Sequence, residues 1–188
     1  MTDQDNARRF VELILDQYNK YHDHKETMAY TGFALYAAAF AWLLVSNDWP
    51  PNWPRPLPLL TVTGGWLLAL WFVGWQLKNR RLAAIRTTAA ERLLASWVTT
   101  PPSDQDLLPW KGTIKRRRAL THILGFLCPP LAPLVQGDVI DSAYPGALVS
   151  LWLQPCSGRG TGARRNEVTL TIAIWVLFLA LVLKTCLA

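Results

Sequence analysis

Charge is missing from three long stretches of this chain, and that absence organises the rest. Residues 29–46 and 59–77 contain no Asp, Glu, Lys, Arg or His, and residues 168–187 contain only Lys184. Each approaches the roughly 20 apolar residues that cross a hydrocarbon core about 30 Å thick. Gly and Pro are absent from residues 4–31, so nothing there breaks a helix. Cysteine is scarce: Cys128, Cys156 and Cys186 lie far apart, which suggests neither a disulfide framework nor a zinc site. No cleavable signal peptide is expected, because the first 28 residues carry charge throughout. Also lacking are a Ser/His/Asp set, a phosphate loop, a dinucleotide fingerprint and a Cys/His nucleophile pair. Ionisable groups deep in the spans, which proton relays and transporters use, are lacking too.

What is present reads as an all-α integral membrane protein. A long two-helix transmembrane hairpin with cytoplasmic helical extensions is followed by a C-terminal transmembrane helix. The first helix is expected from about Asp5 through Val45. In its polar half, Val11, Ile14, Tyr18 and Tyr21 recur at helical spacing. That half projects roughly 35 Å from the bilayer. The connection 47–58 holds five prolines, with Trp49 and Trp53 at the headgroup level. The second span, 59–77, continues into a basic segment striped by Leu82, Ile85, Ala89, Leu93 and Trp97. Both stripes need a partner: they zip together within the chain or pack between subunits.

Three regions follow. Residues 1–98 form the hairpin, 99–167 a basic cytoplasmic or interfacial region, and 168–188 the last crossing. Residues 99–110 and 157–163 read as linkers. Segment 119–135 is read as interfacial or re-entrant, because Pro129, Pro130 and Pro133 oppose a full crossing. Residues 139–153 are mixed and apolar and are expected on the same surface. Lys and Arg mark the cytoplasmic side. The 47–58 turn has only Arg55, whereas the flanking segments hold Arg8, Arg9, Lys20, Lys25, Lys78, Arg80, Arg81, Arg86 and Arg92. The expected location is the plasma (inner) membrane of a bacterium, N-terminus cytoplasmic and C-terminus outside. Lys184 is expected to snorkel outward.

Three sets of candidate residues emerge. Ala34, Ala37, Ala38 and Ala41 share a helix face, and Gly65 and Ala69 offer a second small-residue face. In lipid, helices associate by close approach at such residues. Before the first span, His22, His24, Lys25 and Glu26 form a polar collar, read as pairing with Arg80 and Arg81. His22 and Glu26 share a helix face, but two residues from one helix are too few for zinc, and a docking or pH-gated role is the functional alternative. Lys115, Arg116, Arg117 and Arg118 form a basic run suited to anionic lipid headgroups. The net charge of +6 is assigned to the bilayer surface rather than to nucleic acid. No catalytic residue, metal or cofactor is assigned.

The layout of residues 1–98, a cytoplasmic helix, two spans and a basic cytoplasmic helix, resembles the two-transmembrane modules of bacterial conflict systems. The resemblance is one of layout, with no shared motif and no functional residue to carry over. It implies oligomerisation and membrane permeabilisation. The expected function is therefore a non-enzymatic, self-associating membrane module, in its sharper version a pore. The alternatives are an accessory or anchoring subunit of a larger complex and, third, a lipid enzyme at the membrane interface.

Overall fold

A computed structural model describes residues 3–46, 54, 56–111, 127–128, 144–154 and 161–187; side chains of the last helix are described from Arg165 onward. The basic run 115–118, most of 119–135, Arg55, both turn tryptophans and residues 155–160 lie outside the described residues. The described residues form five helices and no strand: α1 (Asp3–Val45), α2 (Pro56–Thr99), α3 (Asp104–Leu107), α4 (Gly146–Leu153) and α5 (Thr161–Leu187). Three of them, α1, α2 and α5, are long and apolar enough to cross a membrane.

The 43 residues of α1 run unbroken through Gly32, about 65 Å of helix. Its start and end fall within two residues of the sequence expectation. Two linkers differ from expectation. Residues 99–110 contain the single-turn helix α3, because Ser103 opens it. The Ser103 N–H and hydroxyl both donate to Asp106 Oδ2, at 3.0 and 2.7 Å. Those bonds hold the Asp106 carboxyl below its ordinary range. Helix α5 begins at Thr161, inside the glycine-containing segment 157–163.

The chain divides into two compact units, each built from parts of several helices. The first takes residues 1–25, 78–119 and 133–158. Its core joins Val11, Ile14 and Tyr18 of α1 to Ile85, Ala89, Leu93 and Trp97 of α2. The two stripes therefore bury each other within one chain. Leu148, Val149 and Trp152 of α4 complete this core. Helix α4 is held there by the Gly146 N–H, which donates to the Leu108 carbonyl at 2.7 Å. A Cβ at Gly146 would stand 3.1 Å from that oxygen, a tight contact that glycine avoids.

The second unit takes residues 26–77, 120–132 and 159–188. Here Phe72 covers Gly32 and Phe40 covers Gly65, an order of contacts that runs α1 and α2 in opposite directions. Tyr36 Oη donates to the Ile174 carbonyl at 3.1 Å, and Lys184 meets the end of α1, so α5 runs parallel to α1 in this unit. Trp66 stacks on Phe178 and meets the edge of Trp175.

Candidate functional site

The first unit holds a half-buried arginine, Arg86, among aromatic rings. Tyr18 lies on the apolar stripe of α1 and Arg86 next to Ile85 on that of α2, so the two helices bring them together. Arg86 Nη1 donates to Tyr18 Oη at 2.8 Å. The Tyr18 and Tyr144 hydroxyls are 3.2 Å apart. The guanidinium carbon lies 4.9 Å from the centre of the Tyr18 ring and 5.3 Å from that of Trp152. Such contacts are worth about 0.5–2 kcal/mol each, depending on desolvation. Tyr144 in turn meets Trp152 edge-on, with centroids 5.0 Å apart. Burial, helped by the Tyr144 hydrogen bond and opposed by Arg86, raises the Tyr18 pKa above its ordinary 10.0. Tyr18 is thus a neutral phenol, and the arginine is oriented by ring faces rather than by a flexible tether.

A cavity of about 200 Å³ opens beside this cage. Gln17, Tyr18 and Tyr21 wall it from α1, and Asn79, Leu82 and Arg86 from α2, over Ala83. Lys25 lies over the Tyr21 ring, 4.9 Å from its centre. Among the described residues the wall supplies one cation, two amides and two phenols.

The residues singled out in the sequence fall as follows. Ala34, Ala38 and Ala41 are exposed and Ala37 is half-buried; the face of α1 turned to the core carries Tyr36 and Phe40. Gly65 and Ala69 do lie in the second unit's interior, Gly65 under Phe40 and Ala69 buried. Of the collar, His22 is half-buried with Nδ1 3.3 Å from Asp23 Oδ1, and His24 is exposed. Arg80 is buried and Arg81 half-buried. Among the described residues no group of three or more His, Cys, Asp or Glu could hold a metal ion.

Several features carry no periodic signal in the sequence. Lys184 is one. Its amine donates to the carbonyls of Leu43 (2.9 Å), Leu44 (2.8 Å) and Ser46. The reason is local: the last carbonyls of a helix lack intrahelical partners and carry partial negative charge. Glu167 and Gln76 are buried, although one precedes a span as a flanking charge and the other ends a span. The Arg86 cage needs Tyr144 and Trp152, more than 55 residues away in sequence. Its hints are Tyr18 on an otherwise apolar stripe and an arginine beside Ile85.

Compared with protein-family models, curated proteins and solved structures, the chain matches none. Its class is therefore defined by architecture: an all-α protein with three helices long and apolar enough to span a bilayer, and a separate helical unit containing a caged arginine.

Proposed function

We propose that this is a multi-pass integral membrane protein that works by association rather than catalysis. In this reading α1, α2 and α5 cross the bilayer, and the first unit stays with the N-terminus on the cytoplasmic side. One observation carries the membrane assignment. The most apolar windows of the three helices are only 17%, 28% and 22% buried within the protein. Leu35, Trp42, Leu68 and Ile172 stand among the large side chains left outside. In water such a surface is a liability; in lipid it is the surface required. The charge asymmetry across the 47–58 turn sets the sidedness.

The exposed Ala34, Ala38 and Ala41 supply the association face. They lie on a span and are uncovered by the rest of the chain, and small residues let backbones approach closely in lipid. Of segment 119–135, Leu127 meets α5 within the second unit. The Trp175 indole N–H donates to the Leu127 carbonyl at 3.3 Å. Trp175 is seven residues past Val168, where the last apolar stretch begins, about 10 Å along the helix. A second reading has its own support. The cytoplasmic stripes already satisfy each other within one chain, which leaves the first unit free to serve as a docking body for a different protein.

Crosslinking in native membranes separates the two. A ladder of self-multiples, weakened by Ala38→Leu, supports self-association. A single foreign band that Ala38→Leu leaves intact supports the accessory-subunit reading and removes the first.

A further inference from the structure

We propose that the outer face of α1 in the first unit is a docking surface for a second copy of this chain, whose own α1 runs parallel to it and in register. The face starts where lipid does not reach. Phe10 and Leu13 are 43% and 62% exposed, off the buried stripe of Val11, Ile14 and Tyr18. Leu13 lies sixteen residues before Ala29, where the first charge-free stretch begins, about 24 Å along the helix. Acyl chains do not extend that far, so in the membrane reading the cover for these side chains has to be protein. Gln17, Lys20 and His24 follow Leu13 at steps of four, three and four residues and are exposed too. The same alternation runs on through Thr31 and Ala38 to Val45, which are also exposed. Alternating three- and four-residue steps make the seam of a left-handed two-helix coil. In a straight helix such a seam drifts by about 20° per seven residues, and supercoiling removes the drift.

Length and charge select the occupant. A helix that follows this seam has to cross the bilayer and continue into water in one piece. Helix α1 of a second copy does so, and insertion in the same orientation makes the two parallel. In a parallel, in-register pair, Phe10, Gln17 and His24 each pack beside the residue that precedes its counterpart on the other helix. Those residues are Arg9, Asp16 and Asp23. Each meeting is favourable: a guanidinium with a ring, a carboxylate with an amide N–H, and a carboxylate with an imidazole. The Asp16 and Asp23 side chains are 62% and 84% exposed while they touch Lys20 and His22 of their own helix, so both are within reach of a partner. Lys20 is the cost, because two such amines approach across the seam, each held by its own Asp16 at 2.7 Å. Polar residues at seam positions fix register and orientation at the expense of stability. The parallel direction rests on the membrane reading above, and the contact extends self-association out of the spans.

The test uses the full chain in isolated native membranes, with Cys128, Cys156 and Cys186 replaced and one cysteine introduced at a time. Leu13→Cys and Lys20→Cys lie on the seam; Glu12→Cys and Asn19→Cys are exposed but off it. Mild copper–phenanthroline oxidation joins cysteines whose Cα atoms come within about 7 Å. We expect a disulfide dimer of twice the chain mass at 13 and 20, with a yield at least about fivefold that at 12 and 19. Adding Leu13→Asp to the Lys20→Cys chain should cut its dimer yield by a similar factor. All of these positions are exposed, so the substitutions leave both cores untouched. Equal yields at the four positions, no dimer at 13 and 20, a yield that Leu13→Asp leaves unchanged, or a product joined to a different protein overturns the proposal. Ala38→Cys separates this contact from the reading it extends. A dimer at 38 without one at 13 and 20 leaves self-association through the span standing and removes the contact outside it. Dimers at 13 and 20 without one at 38 keep this contact and remove the alanine face.

Discussion

Three glycines in the second unit make a graded test of how its helices fit. A Cβ built at Gly32 would lie 2.4 Å from Phe72 Cε1 and 2.6 Å from Cδ1. That is about an ångström inside ordinary contact, so the ring must swing or the helices must part. Overpacking of this kind costs about 1–3 kcal/mol. Against it stands the gain in helix propensity from Gly to Ala, about 1 kcal/mol. At Gly65 the nearest atoms are Phe40 Cε2 and Cζ at 3.1 and 3.2 Å. A shift of a few tenths of an ångström suffices there, and the two effects nearly cancel. At Gly64 nothing lies within 4 Å, and the propensity gain stands alone. Thermal unfolding in detergent, followed by tryptophan fluorescence, should rank the variants Gly64→Ala, Gly65→Ala, Gly32→Ala from most to least stable. The outer two should differ by about 1–3 kcal/mol, or roughly 2–12 °C for a chain of this size. A Gly32→Ala protein as stable as Gly64→Ala would refute the packing of Phe72 on α1.

Other perturbations have equally definite outcomes. Lys184→Met removes the amine from three carbonyls at the end of α1 and should lower stability by about 1.5–3 kcal/mol, the range for a hydrogen bond to a charged group; an unchanged melting temperature would contradict that cap. Gln76 is buried and its Oε1 has no protein partner, so Gln76→Met, similar in volume, should raise stability by about 1 kcal/mol. Tyr18 gives the first unit an alkaline limit. The unfolded phenol ionises near 10.0 and the folded one only at higher pH, so stability is full below pH 10 and declines as the pH rises past it. Tyr18→Phe should flatten that decline in a pH series of melting curves.

The long helices were legible because their signals are local. The run without Gly or Pro from 4 to 31, joined to a charge-free span, allows one continuous helix, and α1 is that helix. The stripe Val11, Ile14, Tyr18 is buried as its spacing requires, while Tyr21 drifts outward to 39% exposure. Ridge-and-gap contacts were not legible in the same way. Small residues identify where helices can approach, but not which face does so. Aromatic rings over Gly32 and Gly65 fill the α1–α2 contact, and the alanine face of α1 is left outside. Lys184 illustrates a competition between two favourable fates for an amine near a span end. Here the amine meets the carbonyls at the end of α1, which as a helix end lack intrahelical partners. The Arg86 cage depends on Tyr144 and Trp152 folding back onto α1 and α2, a tertiary event that no periodicity encodes.

The central claim is that three helices cross a bilayer and leave the first unit on the side where the chain starts. Thiol labelling in intact cells with a membrane-impermeant maleimide tests it most directly. The host is a chain with Cys128, Cys156 and Cys186 replaced, carrying one new cysteine at Asn52, Asp104 or Ala188. Cysteines at 52 and 188 should label in intact cells, and the one at 104 only after permeabilisation. Labelling at 104 in intact cells, or none at 52, would contradict the account.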